Sequence, residues 1–125
     1  KCGIPADPSG NGGGFIFDCR FIYNPGREAE FKLLTGLDKE VAAFLEEQKE
    51  MQNFLKNIFE IIDPAIENYL ERNFTDLMIS FGCTGGQHRS VYASEKTKQH
   101  IEGKFKNVII EIHHDQIEKG LNLPK

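Results

Sequence analysis

The chain has 125 residues, of which 39% are hydrophobic and 27% are charged, values that are ordinary for a soluble globular domain. Its apolar runs are too short to cross a bilayer, so we expect no membrane-spanning segment. The three cysteines form an odd set without metal-ligand spacing and predict a reduced, cytoplasmic chain. Because Cys2 and Cys19 suit a core, we interpret both as reduced thiols that line it. The first residue is lysine, which leads us to expect a domain of a longer protein.

Charge is unevenly distributed along the chain, whose formal net charge is −4. Residues 26–75 hold six basic and eleven acidic side chains, a net of −5, whereas residues 76–125 hold seven basic and six acidic ones, a net of +1. Nucleic-acid binders present a basic stripe to the phosphate backbone, and neither half contains one. The acidic charge therefore argues against RNA as a partner, and we interpret the acidic middle as a solvated helical face.

Predicted strands and helices alternate along the chain. In order, the pattern predicts a turn-rich loop at 5–14, a strand at 15–22, a helix with its N-cap at Asp38, a restart of that helix at Asp63-Pro64, a strand at 76–81, a helix at 90–101, a strand at 107–112, and a short helix from Asp115 that stops at Gly120. Strands with helices between them predict an α/β fold, a mostly parallel sheet with helices packed on its faces in a single domain.

The stretch FGCTGGQHRSV, residues 81–91, lies where a predicted strand meets the following helix. In an open parallel sheet, ligands collect at the carboxyl ends of the strands, and the unpaired N–H groups of the next helix attract anions. Glycines leave those N–H groups accessible, while arginine, histidine and hydroxyl groups donate hydrogen bonds to phosphate oxygens. We therefore predict a phosphate-binding loop, against the alternative of a tight turn with glycines for packing. Its residues are Cys83, Thr84, Gly85, Gly86, His88, Arg89 and Ser90.

The same loop matches the C-x5-R-[ST] signature of cysteine-dependent phosphatases, which gives a second hypothesis. Cys83 would then be the nucleophile, Arg89 would bind the phosphoryl oxygens, and Ser90 would assist breakdown of the intermediate. Against this hypothesis, Gly82 stands where that signature usually has a histidine. The reaction also needs a general acid, for which the sequence offers Asp18, Asp115 and the Asp7-Pro8 loop.

Segments along essentially the entire chain resemble the C-terminal domain of the RapZ (YvcJ) family of RNase adapter proteins. The segments are KCGIP at the start, FDCRF followed by Asn24-Pro25, LTGLD at 34–38, and GCTGGQHRSV at 82–91. They occur in the order of that family, and the glycine–cysteine loop is highly specific to it. On this resemblance, residues 1–125 form one RapZ C-terminal-like domain.

The resemblance implies a sensor of an amino-sugar phosphate or a similar phosphorylated metabolite, without a reaction or cofactor of its own. A third hypothesis, beside this sensor and the phosphatase, is an RNA- or protein-binding adaptor module. In the family, this domain follows a P-loop NTPase domain, mediates self-association and contacts a small regulatory RNA. No G-x-x-x-x-G-K-[ST] occurs in the chain, so nucleotide binding is expected of an upstream domain only. The stretch GREAEF departs from the family pattern, so we expect part of the ligand or partner contact to differ. The stretch QIEKGLNLPK replaces the basic tail of the family, which argues against RNA binding.

The resemblance adds Asp18 and Arg20 to the predicted phosphate-binding loop. Asp18 would accept hydrogen bonds from sugar hydroxyls or an ammonium group, although Asp18 and Arg20 fit a structural ion pair at a strand end equally well. His113 and Asp115 match a further family segment and are expected to flank the same site. Adjacent ligands without a second cluster are a weak metal signal, so we predict no metal site at HHD, residues 113–115.

Overall fold

The structure is a computed structural model that describes residues 14–73 and 76–118. Its elements are β1 (Gly14–Asp18), two 3-10 turns (Pro25–Arg27 and Ala29–Phe31), α1 (Lys39–Glu46), α2 (Lys49–Glu71), β2 (Met78–Gly82), α3 (Arg89–Lys104) and α4 (Asp115–Glu118). Cys2, the Asp7-Pro8 loop, most of the predicted loop at 5–14 and the predicted stop at Gly120 lie outside the described residues.

Strands β1 and β2 pair in parallel, with Gly14 opposite Met78 and Asp18 opposite Gly82. The Cys19 N–H extends this ladder by donating to the Gly82 carbonyl oxygen at 2.7 Å. A parallel pair needs a crossover connection, and α1 and α2 provide it. The predicted α/β fold with a parallel sheet and packed helices is confirmed.

Two clusters of buried side chains hold the helices against the strands. Helix α2 reaches both clusters because its apolar residues recur every three or four positions. The first cluster is Cys19, Ile22, Val41, Leu45, Met51, Leu55, Tyr92 and Ala93. The second is Ile58, Ile62, Ile66 and Ile101, against which phenylalanines of both strands pack. In the described part of the chain, no helix combines the length and the apolarity needed to span a membrane.

The predicted helix after Asp38 is divided at a different place from the one expected. It breaks between Glu46 and Lys49, where Gln48 has extended backbone angles of φ −80° and ψ 112°. The predicted restart at Asp63-Pro64 is wrong, because α2 runs through Pro64 without interruption. Asp63 does not cap a helix. Its carboxylate accepts hydrogen bonds from α3 instead.

The predicted strand at 107–112 is also wrong, since these described residues form no strand. Their exposure does alternate, and Ile109 is 97% exposed while Val108 and Ile110 pack against the second buried cluster. Alternate side chains thus attach the segment to the core without the ladder of main-chain hydrogen bonds that defines a strand. The remaining elements match their predictions within a few residues, with β1 ending earlier and α3 ending later than expected.

Candidate functional site

The ends of both strands and the start of α3 meet at one edge of the sheet. Asp18 and Gly82 are the last residues of β1 and β2, and they lie opposite each other. The chain leaves β2 at Cys83 and enters α3 at Arg89. We call residues 83–88 the glycine loop. The structure therefore brings the glycine loop and the Asp18–Arg20 segment to the same sheet edge, as predicted.

Two glycines give the glycine loop its shape. Gly85 and Gly86 have φ values of +79° and +62°, a left-handed conformation that other residues adopt only with strain. A Cβ atom on Gly86 would also lie 2.9 Å from Cγ of Gln116 in α4. Thr84 and Gly85 are exposed, whereas the next residues become progressively buried toward α3. The glycine loop is therefore exposed to solvent at Thr84 and Gly85 and is held in place at His88, where it enters α3.

Cys83 and Ser90 contact each other across the base of the glycine loop. Their Sγ and Oγ atoms are 3.2 Å apart, and the Ser90 N–H donates to the Cys83 sulfur at 3.4 Å. Ser90 is buried and Cys83 is half-buried. Sulfur therefore accepts one of the N–H groups that the first turn of a helix leaves unpaired. Cys83 has a structural role at the start of α3.

Arg89 is buried, with 3% of its surface exposed, and holds the turn after β1. One terminal nitrogen of its guanidinium donates to the carbonyl oxygens of Arg20 at 2.9 Å and Ile22 at 2.7 Å, and reaches that of Cys19 at 3.5 Å. Its Nε is buried without a hydrogen-bond partner in the described structure. The predicted role of Arg89 as a phosphate ligand remains a prediction, and its positive charge is fixed beside the sheet edge.

His88 and Gln87 attach the glycine loop to the segment that precedes α1. The His88 ring donates through Nε2 to the Phe31 carbonyl oxygen at 2.9 Å, since a carbonyl can only accept. The Gln87 amide donates to the carbonyls of Lys32 at 3.0 Å and Leu34 at 2.8 Å. Only 6% of the His88 surface is exposed, so His88 fixes the loop from the buried side.

Gly36 is a site residue that the sequence pattern did not single out. Its N–H donates to the Gln87 carbonyl oxygen at 2.9 Å. A Cβ atom there would lie 2.4 Å from the His88 carbonyl oxygen and 2.6 Å from the Tyr92 nitrogen, so only glycine fits. The sequence did offer a signal for Gly36, since this glycine belongs to the LTGLD segment that carries the family resemblance.

Asp18 and Arg20 form an exposed, bidentate ion pair. Arg20 donates from Nε and from a terminal nitrogen to both carboxylate oxygens at 2.6 to 3.0 Å, and its backbone N–H donates to Oδ1 at 2.9 Å. The Arg20 side chain lowers the pKa of Asp18 to about 2, with smaller help from its backbone N–H and from the charge of Arg89. The structural ion pair is therefore present, and the predicted ligand role of Asp18 stays a prediction.

The paired state of Asp18 bears on the phosphatase hypothesis. A carboxyl with a pKa of about 2 is ionised at neutral pH and has no proton to give a leaving group. The C-x5-R arginine, Arg89, has one terminal nitrogen bonded to main-chain carbonyls instead of free for a phosphoryl group. Both observations disfavour catalysis by this loop.

Residues 113–115 lead into α4, which approaches the glycine loop. Helix α4 begins at Asp115, and its Gln116 reaches Gly86. His113 is exposed and lies 3.6 Å from a carboxylate oxygen of Glu118. His114, which lies between the two predicted site residues, is held by Glu95 of α3 at 2.7 Å. Within residues 14–73 and 76–118, no group of three His, Cys, Asp or Glu side chains is placed to hold a metal ion.

Comparison with known proteins identifies relatives that match this chain along nearly its full length. The family model described as RapZ C-terminal domain matches residues 1–118. A nucleotide-binding protein of Glaesserella parasuis serovar 5 (strain SH0165) is 41% identical over 122 residues, which are 95% of this chain and 39% of that protein. A nucleotide-binding protein of Thermotoga petrophila is 40% identical over 119 residues, which are 95% of this chain and 40% of that protein. A nucleotide-binding protein of Shewanella halifaxensis is 37% identical over 121 residues, which are 96% of this chain and 40% of that protein. The chain thus spans about two fifths of the length of the curated relatives it matches.

Proposed function

We propose, since the chain belongs to the RapZ C-terminal domain family, that it is a regulatory domain that binds a phosphorylated sugar and does not transform it. The observation that carries this proposal is the glycine loop. It joins a parallel strand to the N-terminus of a 16-residue helix through two left-handed glycines, beside a buried arginine. This combination suits an anion, because helix N-termini and fixed positive charge both attract one.

The phosphate would contact the exposed part of the glycine loop, Thr84 and Gly85, close to the N-terminus of α3. His88 and Arg89 would act mainly by holding the loop, since both are committed to main-chain carbonyls, and Arg89 would also supply positive charge. The sugar would extend toward Asp18 and Arg20 at the same sheet edge. An exposed carboxylate there favours a sugar that carries an ammonium group.

Thermal unfolding with matched ligands tests this proposal. The set is a hexosamine phosphate, the matching hexose phosphate, the unphosphorylated hexosamine, inorganic phosphate and ATP. A ligand at a hundred times its dissociation constant stabilises the native state by about 2.7 kcal/mol. We expect stabilisation by both sugar phosphates, the larger one by the amino sugar, and none by the unphosphorylated sugar. ATP is included because the relatives are named nucleotide-binding proteins. Stabilisation by ATP alone would contradict the proposal.

Variants locate the site. Thr84→Val removes an exposed hydroxyl from the glycine loop, so it should weaken phosphate binding and leave the unfolding temperature of the free chain unchanged. Thr97→Val is the matched control, because Thr97 is buried in α3 beyond the loop. Vanadate-sensitive hydrolysis of a phosphate ester that disappears in Cys83→Ser would instead establish the phosphatase hypothesis and reject a purely binding role.

A further inference from the structure

Cys19 and Cys83 each come directly after the last paired residue of a strand, Asp18 of β1 and Gly82 of β2. The register pairs Asp18 with Gly82, and the hydrogen bond from Cys19 N–H to the Gly82 carbonyl continues the ladder by one step. Side chains of a strand alternate between faces, so Cys19 and Cys83 lie on the face that Phe17 and Phe81 share. Those two rings are in contact, with centroids 5.6 Å apart. Both cysteines accordingly contact the same buried cluster.

The spacing of the strands suits a covalent bond between the two cysteines. Neighbouring strands lie about 4.8 Å apart, and a disulfide joins residues whose Cα atoms are about 4.4 to 6.8 Å apart. Both thiols are free in this structure.

The two thiols differ in their access to solvent. Cys19 has no exposed surface, and burial, followed by the proximity of Cys83, raises its pKa to about 12. Cys83 is half-buried at the start of the glycine loop, where an oxidant from solvent can reach it. A small oxidant will therefore react with Cys83 before Cys19.

We propose that Cys19 and Cys83 form a reversible disulfide when the chain meets a peroxide. The Cys83 sulfur attacks one peroxide oxygen and the O–O bond breaks, which gives a sulfenic acid and releases water from hydrogen peroxide. The Cys19 sulfur then attacks the Cys83 sulfur, the S–S bond forms, and a second water leaves with the Cys19 proton. Two thiols are oxidised and one peroxide is reduced. A thiol such as glutathione reverses the bond by exchange.

The disulfide would alter the glycine loop as well as the core. The Cys83 sulfur now accepts the Ser90 N–H at 3.4 Å at the first turn of α3. Drawn toward Cys19, it would leave that position and shift the loop's first residue. We expect phosphate binding to weaken about tenfold, which corresponds to the loss of about one well-formed hydrogen bond. This coupling rests on the proposed function, whereas the disulfide itself does not.

Mass spectrometry of the whole chain after treatment with hydrogen peroxide tests the bond. We expect a species about 2 Da lighter than the reduced chain and a cross-linked peptide containing Cys19 and Cys83. In Cys19→Ala, Cys83 should instead accumulate as a sulfenic acid trapped by dimedone and proceed to the sulfinic acid. Cys2→Ala is the matched control and should retain the cross-link. A cross-link that requires Cys2, or over-oxidised Cys83 beside a free Cys19 in the wild type, would overturn the proposal.

Calorimetric titration with inorganic phosphate then separates the two proposals. Weaker binding to the oxidised chain, restored by dithiothreitol, supports the coupling. Equal affinity in both redox states overturns the coupling and leaves the disulfide established by mass. No binding by the reduced chain, nor by the reduced chain offered sugar phosphates, would overturn the proposed function without affecting the disulfide.

Discussion

Arg89 and Asp63 are both charged side chains that the fold buries, with 3% and 8% of their surfaces exposed, and they are satisfied in different ways. Asp63 of α2 accepts hydrogen bonds from two side chains of α3, His100 at 2.8 Å and Lys104 at 2.9 Å, and the Lys104 ammonium group opposes its charge. The hydrogen bonds of Arg89 in the described structure go to carbonyl oxygens. A carbonyl satisfies a donor but carries no net charge. The charge of Asp63 is therefore opposed by a charged hydrogen-bond partner, whereas the carbonyl partners of Arg89 satisfy its donors without opposing its charge.

The largest effect should come from Arg89→Met, which removes the donor held by three carbonyls. The carbonyls of Arg20 and Ile22 would lose their buried partner, and we expect the free energy of unfolding to fall by about 3 kcal/mol. Urea unfolding followed by circular dichroism measures the loss. Lys98→Ala, which removes a partly exposed ion pair with Glu102 in the same helix, should change the free energy of unfolding little. Comparable losses in both variants would mean that Arg89 is not the anchor inferred here.

Gly86→Ala should cause the next largest loss of stability, because it disfavours the backbone conformation of the glycine loop. A left-handed alanine that also meets Gln116 should cost about 2 kcal/mol. The matched control is Gly103→Ala within α3, where a Cβ atom meets nothing within 4 Å and alanine is the better helix former. Opposite signs of the two stability changes are expected. A stabilised Gly86→Ala would show that the loop conformation differs from the one described.

Asp63→Asn should cost about 1 kcal/mol at neutral pH, because it keeps the shape and weakens two charge-assisted hydrogen bonds. Burial alone would raise the pKa of Asp63, but hydrogen bonds from Lys104 and His100 outweigh it and hold that pKa below the ordinary 3.8. The stabilisation is therefore complete above pH 3.8 and is lost as pH falls through the lowered value. Urea unfolding at several pH values should show the wild type and Asp63→Asn converging in strong acid. A gap that does not narrow as the pH falls below 3.8 would contradict this assignment.

Asp18→Asn should give the smallest change in stability, because the Asp18–Arg20 pair is exposed and surface pairs contribute little. Its expected effect is on selectivity, as a neutral amide no longer attracts an ammonium group. We expect the preference for the amino-sugar phosphate over the hexose phosphate to shrink while phosphate binding persists, measured by competition calorimetry. An unchanged preference would leave Asp18 with a purely structural role and would place the sugar elsewhere.

The comparison of the Arg89 and Asp63 regions also explains which features could be predicted from the sequence and which could not. Strand ends, the glycine loop and α3 follow from local patterns, so the sheet edge at Asp18 and Gly82 was predictable. Asp63 before Pro64 has the local pattern of a helix start, but its partners lie 37 and 41 residues away on α3, and they determine its role. The alternation at 107–112 was genuine, yet a strand also needs main-chain partners, which no local pattern can show. The carbonyl partners of Arg89 were hidden for the same reason.

The separation of those partners along the chain has a consequence for folding. Arg89 bonds to carbonyls 67 to 70 residues earlier, and Gln87 bonds to carbonyls 53 and 55 residues earlier. Closing loops of that length costs entropy before any contact compensates, so such contacts form after the local helices. The glycine loop should therefore acquire its shape at the last stage of folding, once both halves of the chain have met. Its amide hydrogens should accordingly exchange with solvent sooner than those in the middle of α2.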